Sequence, residues 1–189
     1  FLSRQTHIVT EHCGEIDPLD LDEYIAAGGY EALRRCVLDQ EPEETIESIR
    51  RSGLRGRGGA GFPTGDKWAY TRAAQADRKF VICNGDEGDP GAFMDRMLLE
   101  AYPHRVLEGL AISARAVGAG EAYFYIRDEY ALAVRRVERA IAQAEERGFL
   151  GASAFDGAWS LRVRIMRGAG AFVCGEETAL VASIEGRRG

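Results

Sequence analysis

Apolar residues recur along this chain with two periods, one near 3.6 that marks helices and one of two that marks strands. Leu21, Tyr24 and Ile25 form a first stripe behind Asp17-Pro18, a pair suited to a helix start, and Gly28-Gly29 ends it. A second helix is expected from about Tyr30 to Leu38. A third begins at Pro42, carries Ile46 and Ile49, has Glu41, Glu43 and Glu44 near its positive end, and stops at Gly53. Residues 96–99 and 103–117 read as helices, the second buried along Val106, Leu107, Leu110, Ile112 and Ala114 and ended by Gly118 and Gly120. Residues 128–148 read as an amphipathic helix with Leu132, Val137 and Ile141 inward, and 178–184 as a last helix. Between them lie three strand patterns: KFVIC at 79–83, EAYFYIR at 121–127, and 160–166, where Leu161, Val163 and Ile165 alternate.

Helices alternating with strands predict an α/β fold with a mostly parallel sheet. Residues 1–14 carry no strong pattern and read as an arm. The chain divides into an N-terminal arm and helices over 1–52 and an α/β domain over 53–189. Neither internal repeats nor low-complexity tracts interrupt it.

The chain has 189 residues, 46% of them apolar, and a net charge of −6. That charge argues against non-specific nucleic-acid binding. No apolar run approaches the roughly 20 residues of a membrane span, and no signal peptide opens it. It starts on Phe1 and stops at Gly189, just past a helix pattern and inside a Gly/Arg patch, which reads as part of a longer chain. Cys13, Cys36, Cys83 and Cys174 are far apart, without C-x-x-C spacing, so no metal centre is expected here. Scattered cysteines fit a reducing cytoplasm.

The strongest chemical signal falls where the apolar periods stop. In GLRGRGGAGFPTGDKW, residues 53–68, six glycines stand among Arg55, Arg57 and Lys67, with the aromatics Phe62 and Trp68. Glycine lets a ligand press against main-chain N–H groups, and successive N–H groups bind anions. This reads as a loop that cradles phosphate and stacks a ring. Gly56, Gly58 and Gly61 match G-x-G-x-x-G, but a helix rather than a strand precedes them, so the dinucleotide fingerprint fails on context. Gly65 is followed by Asp66, so there is no P-loop either. NGDEGDPGAFMDR at 84–96 follows a strand, where α/β folds place ligand loops. Its acids lack the EF-hand spacing, repel phosphate, and suit hydroxyl or ring N–H donors. They also read as simply solvated. Asn84 offers both donor and acceptor to a flavin edge. In GAGAFVCGEE at 168–177, Glu176 and Glu177 open a helix. One acid satisfies the dipole, which leaves the other for a ligand.

These three motifs together resemble the NADH-binding flavoprotein subunit shared by respiratory complex I and by soluble NAD-linked hydrogenases and formate dehydrogenases. The resemblance runs in order from about Cys13 to Gly189. It implies a Rossmann-like FMN-binding domain in which FMN exchanges hydride with NAD(H) and single electrons with iron–sulfur clusters. It implies FMN contacts from Gly56, Arg57, Gly58, Gly59 and Gly61, with Lys67 near the phosphate. Asn84, Asp86 and Glu87 look like ligands of the flavin and its ribityl chain, and Gly175 and Glu176 like further flavin contacts. Phe62 and Tyr70 resemble the aromatics that stack adenine, while Asp89 and Glu177 resemble acids that contact the dinucleotide. Glu87 and Glu177 are the candidate catalytic residues. A carboxylate near the ribose disfavours a 2′-phosphate, which points to NAD rather than NADP.

Some positions depart from the family. Phe172 stands where many members have Tyr, Asp89 where Glu is common, and Met94 where Lys is frequent. The form GDPGAFMDR, with the lead-ins CGEIDP and YIAAGGYEAL, looks more like the soluble branch. The family's later parts fall outside this sequence: a downstream Asn-rich FMN contact, a ubiquitin-like domain and a helical domain with four cluster-binding cysteines. The implied partners are a thioredoxin-like two-iron ferredoxin subunit and further iron–sulfur and catalytic subunits. The alternatives are the same subunit in complex I, or a nucleotide-binding module that has lost catalysis and serves as a docking platform.

Overall fold

A computed structural model describes residues 4–12 and 14–189; what the sequence suggests for residues 1–3 and Cys13 lies outside them. The N-terminal third forms α1 (Leu21–Ala26), α2 (Glu31–Leu38), α3 (Pro42–Ser52) and α4 (Thr64–Ala73). Strand β1 (Phe80–Gly85) is followed by α5 (Met94–Ala101), α6 (Pro103–Val117) and β2 (Glu121–Arg127). Then come α7 (Ala131–Glu146), β3 (Gly151–Ala154), β4 (Trp159–Gly168), a 3₁₀ turn (Phe172–Gly175) and α8 (Glu177–Ile184). The sheet order is β1-β2-β4-β3, with β1, β2 and β4 parallel and β3 antiparallel to β4. The parallel pairs need crossovers, which α5–α6 and α7 supply.

Alternation along the strands sorts side chains onto two faces. Val81 and Cys83, Ala122, Phe124 and Ile126, and Leu161, Val163 and Ile165 pack into the main core with α6 and α7. Ile82, Tyr125 and Met166 face the other way, against Leu180 and Ile184 of α8. Helix α6 is the central beam. Leu107, Ala111 and Ala114 are fully buried, and a Leu such as Leu107 contributes about 1.5–3 kcal/mol. Pro103 starts α6 and Gly118, at φ 80°, ends it.

The N-terminal helices join this core through a buried carboxylate on α6. Glu108 accepts hydrogen bonds from the Tyr24 hydroxyl (2.5 Å), the Tyr30 amide (2.9 Å) and the Leu33 amide (3.1 Å). It thereby caps α2, whose N-cap residue, Tyr30, sits at φ 62° and makes no side-chain cap of its own. The Tyr30 hydroxyl also meets His104 Nδ1 at 3.0 Å. Burial pushes the His104 pKa down and both tyrosine pKa values up.

Four local readings change. The first helix is capped by Asp20, not Asp17; Asp20 accepts from the amides of Asp22 and Glu23, while Asp17 closes the preceding turn on Leu19. Residues 64–68, read as loop, belong to α4. Gly65 lets α4 lie against α3, because a Cβ there would sit 2.7 Å from the Arg50 amide nitrogen. β3 carried no strand pattern in the sequence. Leu132 faces solvent on α7, whose buried line is Ala133, Val134, Val137, Ala140 and Ala144.

Glu108→Ala leaves buried N–H groups without an acceptor, each costing about 1–3 kcal/mol. The urea midpoint should therefore fall by the equivalent of about 3 kcal/mol, and an unchanged midpoint would show that α2 is not held by this cap.

Candidate functional site

The register places the ends of the parallel strands side by side: Asn84 pairs with Tyr125, Tyr125 with Met166, and Arg127 with Gly168. Two candidate loops leave from this edge. Asn84 locks them together. Its Oδ1 accepts from the Asp86 amide (3.1 Å), and its Nδ2 donates to the Gly175 carbonyl (2.9 Å). Gly88 lies against Phe172, where a Cβ would come within 2.9 Å of the Phe172 Cα. The loop after β1 therefore touches the loop after β4 through a position that only glycine fits.

The acids of these loops do different things. Glu87 accepts from the amides of Asp95 (3.0 Å) and Arg96 (3.1 Å), and so caps α5, whose own N-cap Phe93 has no acceptor. Glu176 caps α8 through the amides of Thr178 and Ala179, which hold its carboxyl below the usual range. Glu177 is exposed and pairs with Lys67 on α4 at 3.4 Å, with 80% and 61% of their side chains open to solvent. Such a pair is worth only about 0–1 kcal/mol, so a ligand can separate it. This pair brings the third candidate loop to the other two.

Asp86 stands apart. Its side chain is 1% exposed, and neither carboxylate oxygen has a hydrogen-bond donor. Burial pushes its pKa up, Arg127 pulls it back, and Glu129 raises it further. Gly175 lies over it, where a Cβ would come within 3.3 Å of the Asp86 carbonyl and 3.7 Å of its carboxylate. A buried acceptor pair without donors beside a position kept bare is a place for a ligand that brings its own hydroxyl or N–H groups.

The glycine loop closes on itself. Gly56 donates to the Phe62 carbonyl (2.9 Å), Thr64 to that of Leu54 (2.9 Å), and the Arg55 guanidinium to that of Gly61 (2.6 Å). Gly58, Gly59 and Gly61 face open space, the last two at φ 104° and 60°. Phe62, Tyr70 and Phe172 are exposed, Phe172 by 71%. Among the described residues, the side chains of Arg57, Tyr70 and Asp89 make no hydrogen bond or ion pair with the other candidates. Lys67, Asn84 and Glu177 line one cleft of about 700 Å³, walled by Trp68, Ile82, Leu110 and Leu180. That volume is in the range of small-molecule sites.

One site residue escaped the sequence reading. Arg127, the last residue of β2, donates to the Glu87 carbonyl (2.7 Å), to Glu129 (3.0 Å) and to the Gly170 carbonyl (3.4 Å). A cation ending a central strand was the available signal. The arrangement suits FMN: acceptors at the strand ends for hydroxyl and ring N–H groups, Lys67 and open glycine N–H groups for phosphate, and exposed rings for stacking. Among the described residues no cluster of His, Cys, Asp and Glu is placed to hold a metal ion, and no helix is long and apolar enough to cross a membrane.

Residues 49–189 match the Nuo51 FMN-binding domain family. The chain is 52% identical over 98% of its length to the NADP-reducing hydrogenase subunit HndC of Solidesulfovibrio fructosivorans. It is also 52% identical over 89% of its length to an NADH-quinone oxidoreductase subunit of Rhizobium meliloti, and 42% identical over 90% to the corresponding protein of Escherichia coli. It spans only 38–40% of these relatives. A solved NAD+-reducing [NiFe]-hydrogenase, in its H2-reduced state, superposes with a TM-score of 0.77 at 34% identity. That match covers 97% of this chain and 29% of the other.

The raised Asp86 pKa fixes a sign. An acid whose folded pKa exceeds its unfolded one costs stability as pH rises from the unfolded value through the folded one. Asp86→Asn removes that cost. Without ligand it should stabilise the protein at pH 7, by on the order of 1 kcal/mol, with the gain shrinking toward pH 4. Thermal unfolding across that range tests this, and a gain independent of pH would contradict it.

Proposed function

The chain belongs to the Nuo51 FMN-binding domain family, and on that premise we propose that it is the flavin- and NAD(H)-binding part of a diaphorase subunit. The observation that carries this reading is the donor-free, buried carboxylate of Asp86, set beneath Gly175. Bound there, FMN would exchange hydride with the nicotinamide and single electrons with iron–sulfur clusters lying in the rest of the subunit and in its partners. The residues of this chain bind and orient. Asp86 accepts from flavin or ribityl donors. Asn84, by gripping Gly175, fixes the spacing of the two loops. Lys67 and the loop of Gly56, Arg57, Gly58, Gly59 and Gly61 meet the phosphate. Phe62, Tyr70 and Phe172 offer exposed rings for the adenine and flavin, and Asp89 and Glu177 lie open to the dinucleotide.

Two further acids take a narrower part in this reading. Glu87 and Glu176 each spend their carboxylate on a helix cap. They reach a flavin through residual lone pairs and by fixing the loops. Glu177, bound only to Lys67, is the better candidate for direct contact with an exchanging substrate.

The chain spans 38–40% of the length of these relatives, so the assembly of the whole protein is proposed. We place it in a soluble cytoplasmic complex of the hydrogenase type, with a thioredoxin-like two-iron ferredoxin subunit and further iron–sulfur and catalytic subunits. Supporting this, identity to the hydrogenase subunit extends over 98% of the chain, against 89% for the quinone reductase at the same identity. Formate dehydrogenase as the partner system rests on motif form alone. A complex I subunit is the second reading, favoured by the Rhizobium meliloti relative. The division at residues 52/53 is also proposed; α2 and α3 nevertheless pack on α6.

The names of the relatives include both NADP and NADH, so nicotinamide choice is a live test. With Glu177 and Asp89 open to the ligand, a 2′-phosphate meets like charge, and kcat/KM for NADH should exceed that for NADPH. Glu177→Gln should raise the KM for NADH about tenfold, the cost of one charge-assisted hydrogen bond, while flavin content stays unchanged. Lys67→Ala should lower flavin content. Equal loss of both cofactors in Glu177→Gln, or unchanged flavin in Lys67→Ala, would overturn the corresponding assignment.

A further inference from the structure

Arg127 is more tightly engaged than any other cation at the strand ends. Its Nη1 donates to the Glu87 carbonyl (2.7 Å) and its Nη2 to Glu129 (3.0 Å) and the Gly170 carbonyl (3.4 Å), so it spans the loops after β1 and β4 from the end of β2. The plane of Tyr130 lies beneath its guanidinium, 5.7 Å from the ring centre. Its Nε faces Asp86 Oδ1 at 3.7 Å, too far for a hydrogen bond, and both atoms are buried without partners.

We propose that Arg127 is the positioning residue of the flavin site: it braces the two loops and supplies the counter-charge that keeps buried Asp86 ionised as an acceptor. This rests on the FMN reading above. A carboxylate this enclosed takes up a proton unless an opposite charge is close. The other groups near Asp86 give no such help. Glu129 is a like charge, Tyr125 presents a phenol whose pKa is itself raised, and Glu87 is an acid already committed to capping α5. Asn84 donates to Gly175 rather than to Asp86. Cys174, behind Tyr125, is a buried free thiol. Without Arg127, Asp86 becomes a neutral acid that offers one donor where the ligand also brings donors. Lysine at this position keeps the charge and loses the fork that spans two carbonyls.

The test is FMN titration of the full-length protein, stripped of flavin, read by fluorescence quenching from pH 5.5 to 8.5. The readout is the ratio of variant to wild-type Kd, which cancels the titration of the phosphate of FMN. For Arg127→Gln the ratio should be large at pH 5.5 and shrink about tenfold or more by pH 8.5, as Asp86 regains its charge. Adding Asp86→Asn should remove that slope. For Arg127→Lys the ratio should stay within about tenfold and be flat with pH. A residue that only braced the loops would give a flat ratio in Arg127→Gln, and that result overturns the proposal. So does wild-type affinity in Arg127→Gln. If Arg127→Gln does not fold, Arg127→Lys decides alone: a flat, modest loss supports the proposal, and abolished binding by folded protein overturns it. Wild-type protein that takes up no FMN overturns the functional reading itself, a different result from normal wild-type binding with insensitive variants.

Discussion

A carboxylate shut into the end of a β-strand without a single hydrogen-bond donor is the constraint around which this site is arranged. Burying Asp86 unpaired costs stability, and nothing in the packing of the sheet requires it. The neighbours accommodate the cost in particular ways. Arg127 ends the adjacent strand and sets a positive charge 3.7 Å away. Gly175 withholds a side chain above it. Asn84, one strand position from Gly85, fixes how far Gly175 stands off. Asn84 and Arg127 lie in β1 and β2 and Asp86 directly follows β1, so their placement depends on the parallel register of those strands. A one-residue slip would send Asp86 to the opposite side of the sheet.

The same edge explains why the acids of the loops are unequal. A helix start needs an acceptor, and α5 and α8 each begin without a Ser, Thr, Asn or Asp cap. Glu87 and Glu176 take that place and in doing so anchor the loops that carry Asp86 and Gly175. Glu177, one residue further on, is free of that duty. Two adjacent glutamates thus serve different ends because the helix has room for one cap.

Much of the scaffold was legible in the sequence because burial writes a period into the chain. EAYFYIR matches β2 residue for residue, and the apolar ladder from Val106 to Ala114 identifies α6 as the central helix. The misses also have physical causes. α4 lacks a clean apolar stripe and opens with Pro-Thr-Gly-Asp, which reads as turn; its helicity comes from docking on α3 through Gly65. GASA in β3 has no branched or aromatic residue, and only its pairing with Leu161 and Trp159 makes it a strand. Asp17 and Asp20 are both good caps, and the sequence does not rank them. In the site, glycine and acid motifs were visible as composition. Which acid caps a helix and which stays bare depends on contacts between residues far apart in the chain. Arg127 was hidden for the same reason, since its partners Glu87 and Gly170 lie some forty residues to either side.

Two ion pairs of opposite character divide the site. Lys67 and Glu177 are solvated and weakly coupled, so separating them costs little and can be repeated at every turnover. Asp86 is enclosed beside Arg127 without a hydrogen-bond donor, and that burial is a standing cost to the empty protein. A group that stays bound needs the second kind of anchor, because its donors relieve a deficit that the empty protein always carries. A substrate that must leave needs the first kind, because tight pairing would slow its release. On the proposed reading the flavin sits at the enclosed pair and the dinucleotide at the open one. The chemistry of a resident cofactor and an exchanging substrate then follows from how deeply each pair of charges is buried.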